Sequence, residues 1–198
     1  DSMDMYFDRF YHAIGDSMNE PMFAWQVLAP LTDKIHCGHT SVSLSRAYGK
    51  WVKNKQLPSF PLYVKVWGDT MAVNGNLRRN DSIFKRGTII TSINGIKNKD
   101  IVKRIFNYLP EDGYANNVNY IRLSGNFPYY HRNVFGLSRN YAVTYLDSVG
   151  KEHKVTVPAF PPLEDSIKKP VEKKRIKRPK PKRPSGKREN PYRNFKID

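Results

Sequence analysis

Gly87-Thr88-Ile89-Ile90-Thr91-Ser92-Ile93-Asn94-Gly95-Ile96 decides the reading of this chain. The run is rich in β-branched residues, which pack well on a pleated surface, and it ends in Asn-Gly, the dipeptide that most readily turns a strand back. An amphipathic segment follows at once, from Asn98 to Leu109. Ile101, Val102, Ile105, Phe106 and Leu109 recur there at helical spacing, so they form one apolar face. Asn98 is expected to cap that helix, and Glu111-Asp112-Gly113 to close it.

Outward from this strand-turn-helix unit, Phe60–Val66 and Thr70–Asn74 read as a β-hairpin joined by Gly68-Asp69. The stretch from Asn76 to Arg86 is rich in turn residues. Downstream, Asn119–Leu123, Tyr141–Leu146 and His153–Val157 read as three strands, the last two paired around Ser148-Val149-Gly150. Upstream, Met3, Phe7, Phe10, Tyr11, Ile14 and Met18 predict an amphipathic helix over 3–18. A second helix is expected from Pro21 to Ile35, kinked at Pro30 and stopped by Gly38. A short strand over Thr40–Leu44 and a loop over 46–58 complete the N-terminal part. The class is therefore α+β. A helical hairpin occupies 1–45 and needs a neighbour to cover its apolar face, a partly open β-barrel with one main helix occupies 46–160, and a Pro/Lys/Arg-rich linker occupies 161–198.

The net charge of +16 suggests nucleic acid, but the charge is unevenly placed. Residues 168–198 contain 14 Lys/Arg against 3 Asp/Glu, whereas residues 1–167 contain 20 against 15, so the excess belongs to the tail. Its prolines, from Pro161-Pro162 through Pro170, Pro179, Pro181 and Pro184, block helix and central strand, and its like charges repel. An extended, disordered linker is expected. Interleaved aromatics are missing until Tyr192 and Phe195, so a stacking platform for nucleic acid is disfavoured. No apolar run reaches the ~20 residues of a membrane span. The opening Asp1-Ser2-Met3-Asp4 is no signal peptide and reads as a cut inside a longer protein.

Cys37 is the single cysteine, which excludes an intrachain disulfide and a zinc cluster built of cysteines. His36-Cys37-Gly38-His39 is the densest run of reactive side chains. A Cys beside a His suits a thiolate nucleophile, and two His with one Cys suit zinc. Neighbouring residues at a helix end diverge, however, and no further ligand stands close in sequence, so a structural helix-to-strand junction is the favoured reading. Gly15-Asp16-Ser17 and Asp33-x-x-His36 imitate the blocks of GDSL-type hydrolases at the wrong spacing. No G-x-S-x-G elbow, H-E-x-x-H or phosphate-cradling glycine loop occurs. No catalytic residue, cofactor or metal is expected from these motifs.

The pattern G-x-x-I-x-x-I-N-G-I before a helix resembles the second half of a PDZ domain. Taken with Cys37-Gly38-His39-Thr40, Phe60-Pro61-Leu62-Tyr63-Val64, Asp112-Gly113 and the Asn-Phe-x-Ile-Asp of Asn194–Asp198, the chain resembles the N-terminal half of tail-specific (C-terminal processing) serine peptidases of the Bacteroidetes type. That resemblance implies an endopeptidase, secreted or periplasmic, with its Ser nucleophile and Lys base in a catalytic domain beyond residue 198. It also implies that the His39 region is structural. Whether this chain is itself an enzyme stays open.

The resemblance implies a peptide groove. A polypeptide would add as a strand beside Leu62–Val66 and lie against the 99–109 helix, contacting Phe60, Leu62, Tyr63, Val64, Ile101, Val102 and Ile105. Pro61 removes one backbone donor where a terminal carboxylate would bind, so an autoinhibitory or internal-peptide role stands beside carboxylate capture. The expected partners are a polypeptide substrate or the protein's own catalytic domain. The alternatives are a stand-alone interaction module, a scaffold, and nucleic-acid binding through the tail.

Overall fold

In the computed structural model of the chain, residues 2–161 are described, apart from Asn54, Gln56 and Arg79. The expected linker over 161–198 lies, beyond Pro161, outside the described residues.

The α+β class holds. The N-terminal part is helical: α1 (Met3–Tyr11), then α2 (Glu20–Phe23), a π-helical turn (Ala24–Leu28) and α3 (Ala29–Asp33) as one continuous helix. Asn19 caps this second helix by accepting Met22 N–H at 3.0 Å. The distortion expected at Pro30 is present as the π turn just before it. Pro30 has no N–H for the i−4 carbonyl, and its ring pushes that carbonyl away. The first helix is shorter than its periodicity predicts, ending at Tyr11 rather than Met18. Trp25 docks the helices on the rest of the molecule, its ring 6.2, 5.7 and 6.4 Å from those of Tyr108, Tyr129 and Tyr130.

The sheet runs β1 (Leu62–Trp67), β2 (Thr70–Asn76), β3 (Ile89–Ile93), β5 (Asn140–Leu146), β6 (Glu152–Pro158), all antiparallel neighbours, with β4 (Ile96–Lys97) paired to β3. It is not closed into a barrel. A single bridge, Ser59 to Phe160, draws the two ends of the sheet together at one corner. The Asn-Gly turn behaves as its chemistry demands. Asn94 and Gly95 both have positive φ (52° and 79°), and Asn94 also locks onto β5, donating its N–H to Ala142 O at 2.7 Å and accepting Ala142 N–H at 2.8 Å. The core lies between the sheet and helices: Phe60, Leu62, Val64, Met71, Ile90, Ile93, Tyr141 and Val143 meet Ile101 and Ile105 of α5 (Asn98–Phe106) and Leu123 and Phe127 beyond it.

Four further expectations change. Residues 40–44 form no strand, since they have no partner to pair with. The loop over 46–58 contains helix α4 (Arg46–Lys53), begun by Ser45, whose Oγ accepts Tyr48 N–H at 3.1 Å and is held by Glu20. The segment over Asn119–Leu123 is not a strand but lies in α6 (Asn117–Gly125), and α7 (Phe127–Phe135) follows, so the sheet has three helices against it rather than one. Lastly, Asn98 is not a cap. It is the first helical residue, buried, and its side-chain amide donates to Ile90 O, pinning α5 to β3.

Candidate functional site

The structure places the seven residues assigned to the peptide groove as follows. Phe60, Leu62, Val64, Ile101 and Ile105 are completely buried, and Val102 is 5% exposed. Tyr63 alone is half-buried, on the opposite face of β1, beside Gly75. The six inward residues belong to one core and do come together, but they pack against each other and present no open lining. Strand alternation dictates this: Leu62, Val64 and Val66 share one face of β1, and that face is covered.

The main-chain edge of β1 is covered too. It is the first strand of the sheet, with β2 on one side only, and α6 lies along its free side. Val66 N–H donates to Ser124 Oγ at 2.9 Å, and the same hydroxyl donates to Val66 O at 3.3 Å. Two further bonds hold α6 down. Asn119 donates to Leu109 O at 3.1 Å, and Arg122 donates to Pro110 O. Helix α7 fills the open mouth of the sheet with an aromatic cluster. Its Phe127 and His131 meet Phe60 at 5.6 and 5.7 Å between ring centroids, and His131 meets Tyr141 at 5.6 Å. Burial alone holds His131 far below the usual imidazole range, at about 4, so the ring is neutral near pH 7. The sequence signal for α7 was the i, i+4, i+7 spacing of Phe127, His131 and Val134 behind Pro128.

Open near the expected groove are a cleft of about 390 Å³ between α5, the Gly68-Asp69 turn and the start of α6, and a second of about 310 Å³ between Lys65–Gly68 and Asn117 and Tyr120 of α6. Lys99, Val102, Lys103 and Phe106 line the first from α5, and Asn116 and Tyr120 from the other side. Asp33, Lys34, His36 and Glu111 close its far end.

Next to that end, the His36–His39 run meets the 111–113 loop, a contact that sequence proximity does not show. Gly113 N–H donates to His36 O at 2.9 Å, Gly38 N–H donates to Asp112 Oδ1 at 2.6 Å, and His36 Nδ1 lies 3.6 Å from Glu111 Oε1. Just past the end of α3, His36 takes a positive φ of 51° where the chain turns toward this loop. Cys37, His39 and Asp112 thereby converge, with one ligand atom of each within 4.8 Å of the others. Hydrogen bonds with the Thr40 side chain and with the backbone at His39 and Thr40 lower the Cys37 thiol.

No protein-family model matches the chain, and no curated protein matches it in sequence. Among solved structures, the chain is similar to that of mature CPAF, a serine-peptidase family member, with a TM-score of 0.52 and 12% identity over 80% of this chain. The match spans 29% of the CPAF chain, and at this identity the likeness is one of fold.

Proposed function

We propose that this chain is a non-catalytic region of a serine endopeptidase of the tail-specific kind, secreted or periplasmic, that recognises or gates polypeptide substrate at the β1 edge. Two things support the reading: the order of motifs along the sequence, and the related fold of a serine-peptidase family member. The observation that carries it is Ser124 on Val66. A strand edge beside a helix takes an added peptide strand in the mode that PDZ domains use. Here α6 occupies that place with a single side-chain cap rather than with a ladder of main-chain bonds. Such an occupant can be displaced, and a peptide that pairs with Leu62–Trp67 competes with it.

The test is an amide NMR titration of the full chain, and of its Ser124→Ala variant, with a library of peptides bearing free C-termini. Shifts centred on Leu62–Trp67 and Ile101–Leu109 are expected, with apparent affinity several-fold higher in the variant, because removing the cap raises the population of the open edge. Two folded proteins without shifts at these residues overturn the reading and leave the region a scaffold.

A further inference from the structure

The geometry points to a metal site that bridges the two halves of the chain: Cys37, His39 and Asp112 as three ligands for a borderline-soft divalent cation of the Zn²⁺ class. We infer it from the convergence of a sulfur, an imidazole and a carboxylate from loops more than seventy residues apart in sequence. It does not depend on the peptidase reading.

The donor set is the first argument. Thiolate, imidazole and carboxylate are the three ligand types zinc takes, at about 2.3, 2.0 and 2.1 Å respectively. Calcium and magnesium demand more ligands and all oxygen, so Cys37 and His39 select against them. Two anionic donors and a neutral imidazole also balance a divalent charge.

Geometry supplies the second. With each pair of ligand atoms no more than 4.8 Å apart, a cation at their centre is about 2.8 Å or less from each, so rotation of exposed side chains by a fraction of an ångström to about one ångström closes the bonds. His39 and Asp112 are exposed and Cys37 half-buried, so neither backbone movement nor opening of the core is needed.

The third argument is how the backbone makes room. A Cβ at position 38 would stand 2.9 Å from the Asp112 carboxylate. Glycine between Cys37 and His39 is therefore what lets the carboxylate descend between the two other ligands, where Gly38 N–H holds Oδ1. Oδ2 is left for the cation. Read along the chain, the His36–His39 run lacked a further ligand; folding brings Asp112. Three protein ligands leave a fourth position for water or a group from a partner.

The probe is Co²⁺, added to the reduced full chain and followed by absorption. The expected result is a thiolate-to-cobalt charge-transfer band with intense four-coordinate d–d bands, saturating at one equivalent and abolished by competing Zn²⁺. Cys37→Ser should lose the charge-transfer band. Asp112→Asn keeps an oxygen to accept Gly38 N–H, so the loop contact survives while the charge goes, and with His39→Gln it should weaken Co²⁺ about tenfold or more. Zn²⁺ should raise the melting temperature of the wild type and not of Cys37→Ser, since the ion ties residues 37–39 to the 111–113 loop. Absence of the band in the folded wild type overturns the site. So does an unchanged Co²⁺ affinity in folded Asp112→Asn and His39→Gln, which would reduce the binding to a lone thiol.

Discussion

Ser124 satisfies both main-chain groups of Val66, its Oγ accepting the N–H at 2.9 Å and donating to the carbonyl at 3.3 Å. One hydroxyl on α6 thus does at this position what a neighbouring strand would do. Ser124→Ala leaves a partly buried N–H and C=O without that partner, at a cost of about 1 kcal/mol. Urea denaturation should show that loss in the midpoint with an unchanged slope. Native-state hydrogen exchange should show the Val66 amide quickening more than the Val64 amide, because only the cap has gone. Equal protection of Val66 in variant and wild type would mean that α6 is held on β1 by packing alone.

Asn98 joins α5 to β3 by donating to Ile90 O from a buried position, while its own Oδ1 has no hydrogen-bond partner. Asn98→Ala removes the donor and orphans a carbonyl, which costs about 1–3 kcal/mol. Asn98→Asp should cost more, since it sets a carboxylate against a carbonyl inside the core. That order, Asp below Ala below Asn in denaturation midpoint, separates a donor requirement from a requirement for size. Equal midpoints for Ala and Asp would contradict the bond.

The N-terminal helices rest on the sheet unit through Trp25, half-buried among Tyr108, Tyr129 and Tyr130. Among the described residues, α1 has no buried residue of its own. Trp25→Ala should therefore loosen α1 and the helix that carries Trp25, which keeps Ala24, Val27 and Ala29 buried, without melting the sheet. About 2–3 kcal/mol of local stability is expected to go, toward the low end for a large aromatic because the ring is not fully enclosed. Limited proteolysis should cut the variant first within residues 12–45, with β3 and β5 amides still protected. Loss of protection throughout would show one cooperative unit instead.

The strands were legible where pattern and turn chemistry agree. Asn94-Gly95 marks a turn that needs two positive φ values, and the β-branched run before it has one side to bury. Helix α6 was not legible, because the aromatic and β-branched Tyr120-Ile121 favour a strand on propensity and the run is too short for its period to decide. Its helical form is settled at long range, by Asn119 and Arg122 bonding the carbonyls of Leu109 and Pro110 and by Ser124 bonding Val66. Helix α4 was hidden by its charge and by Gly49, although Ser45 stood at the capping position. At the candidate sites, period marked the apolar faces of β1 and α5, which meet in one core, but period does not say whether a groove is filled. Asp112 could not be joined to Cys37 and His39 by any local rule, since that pairing is a product of the fold.

His131 provides a pH dependence with a definite sign. It is 3% exposed, stacked on Phe60 and Phe135 and edge-on to Tyr141, and Nδ1 has no hydrogen-bond partner. Desolvation lowers its pKa from 6.5 to about 4. Between these values the unfolded chain holds a proton that the folded chain refuses, so stability is full above pH 6.5 and falls as pH drops toward 4. A shift of that size corresponds to a loss on the order of 3 kcal/mol across the window. The Asp147 carboxyl is also lowered, chiefly by its hydrogen bond with His153, but that contribution is lost only at more acidic pH, below the ordinary carboxylate value of 3.8. His131→Phe removes the titrating ring and keeps an aromatic of similar volume among Phe60, Phe127 and Phe135, so stability near pH 7 should change by less than about 1.5 kcal/mol. Urea midpoints measured from pH 7.5 to 4 should fall steeply for the wild type and stay much flatter for the variant. Parallel curves would assign the acid sensitivity to other groups and would mean that His131 accepts its proton without leaving the folded state.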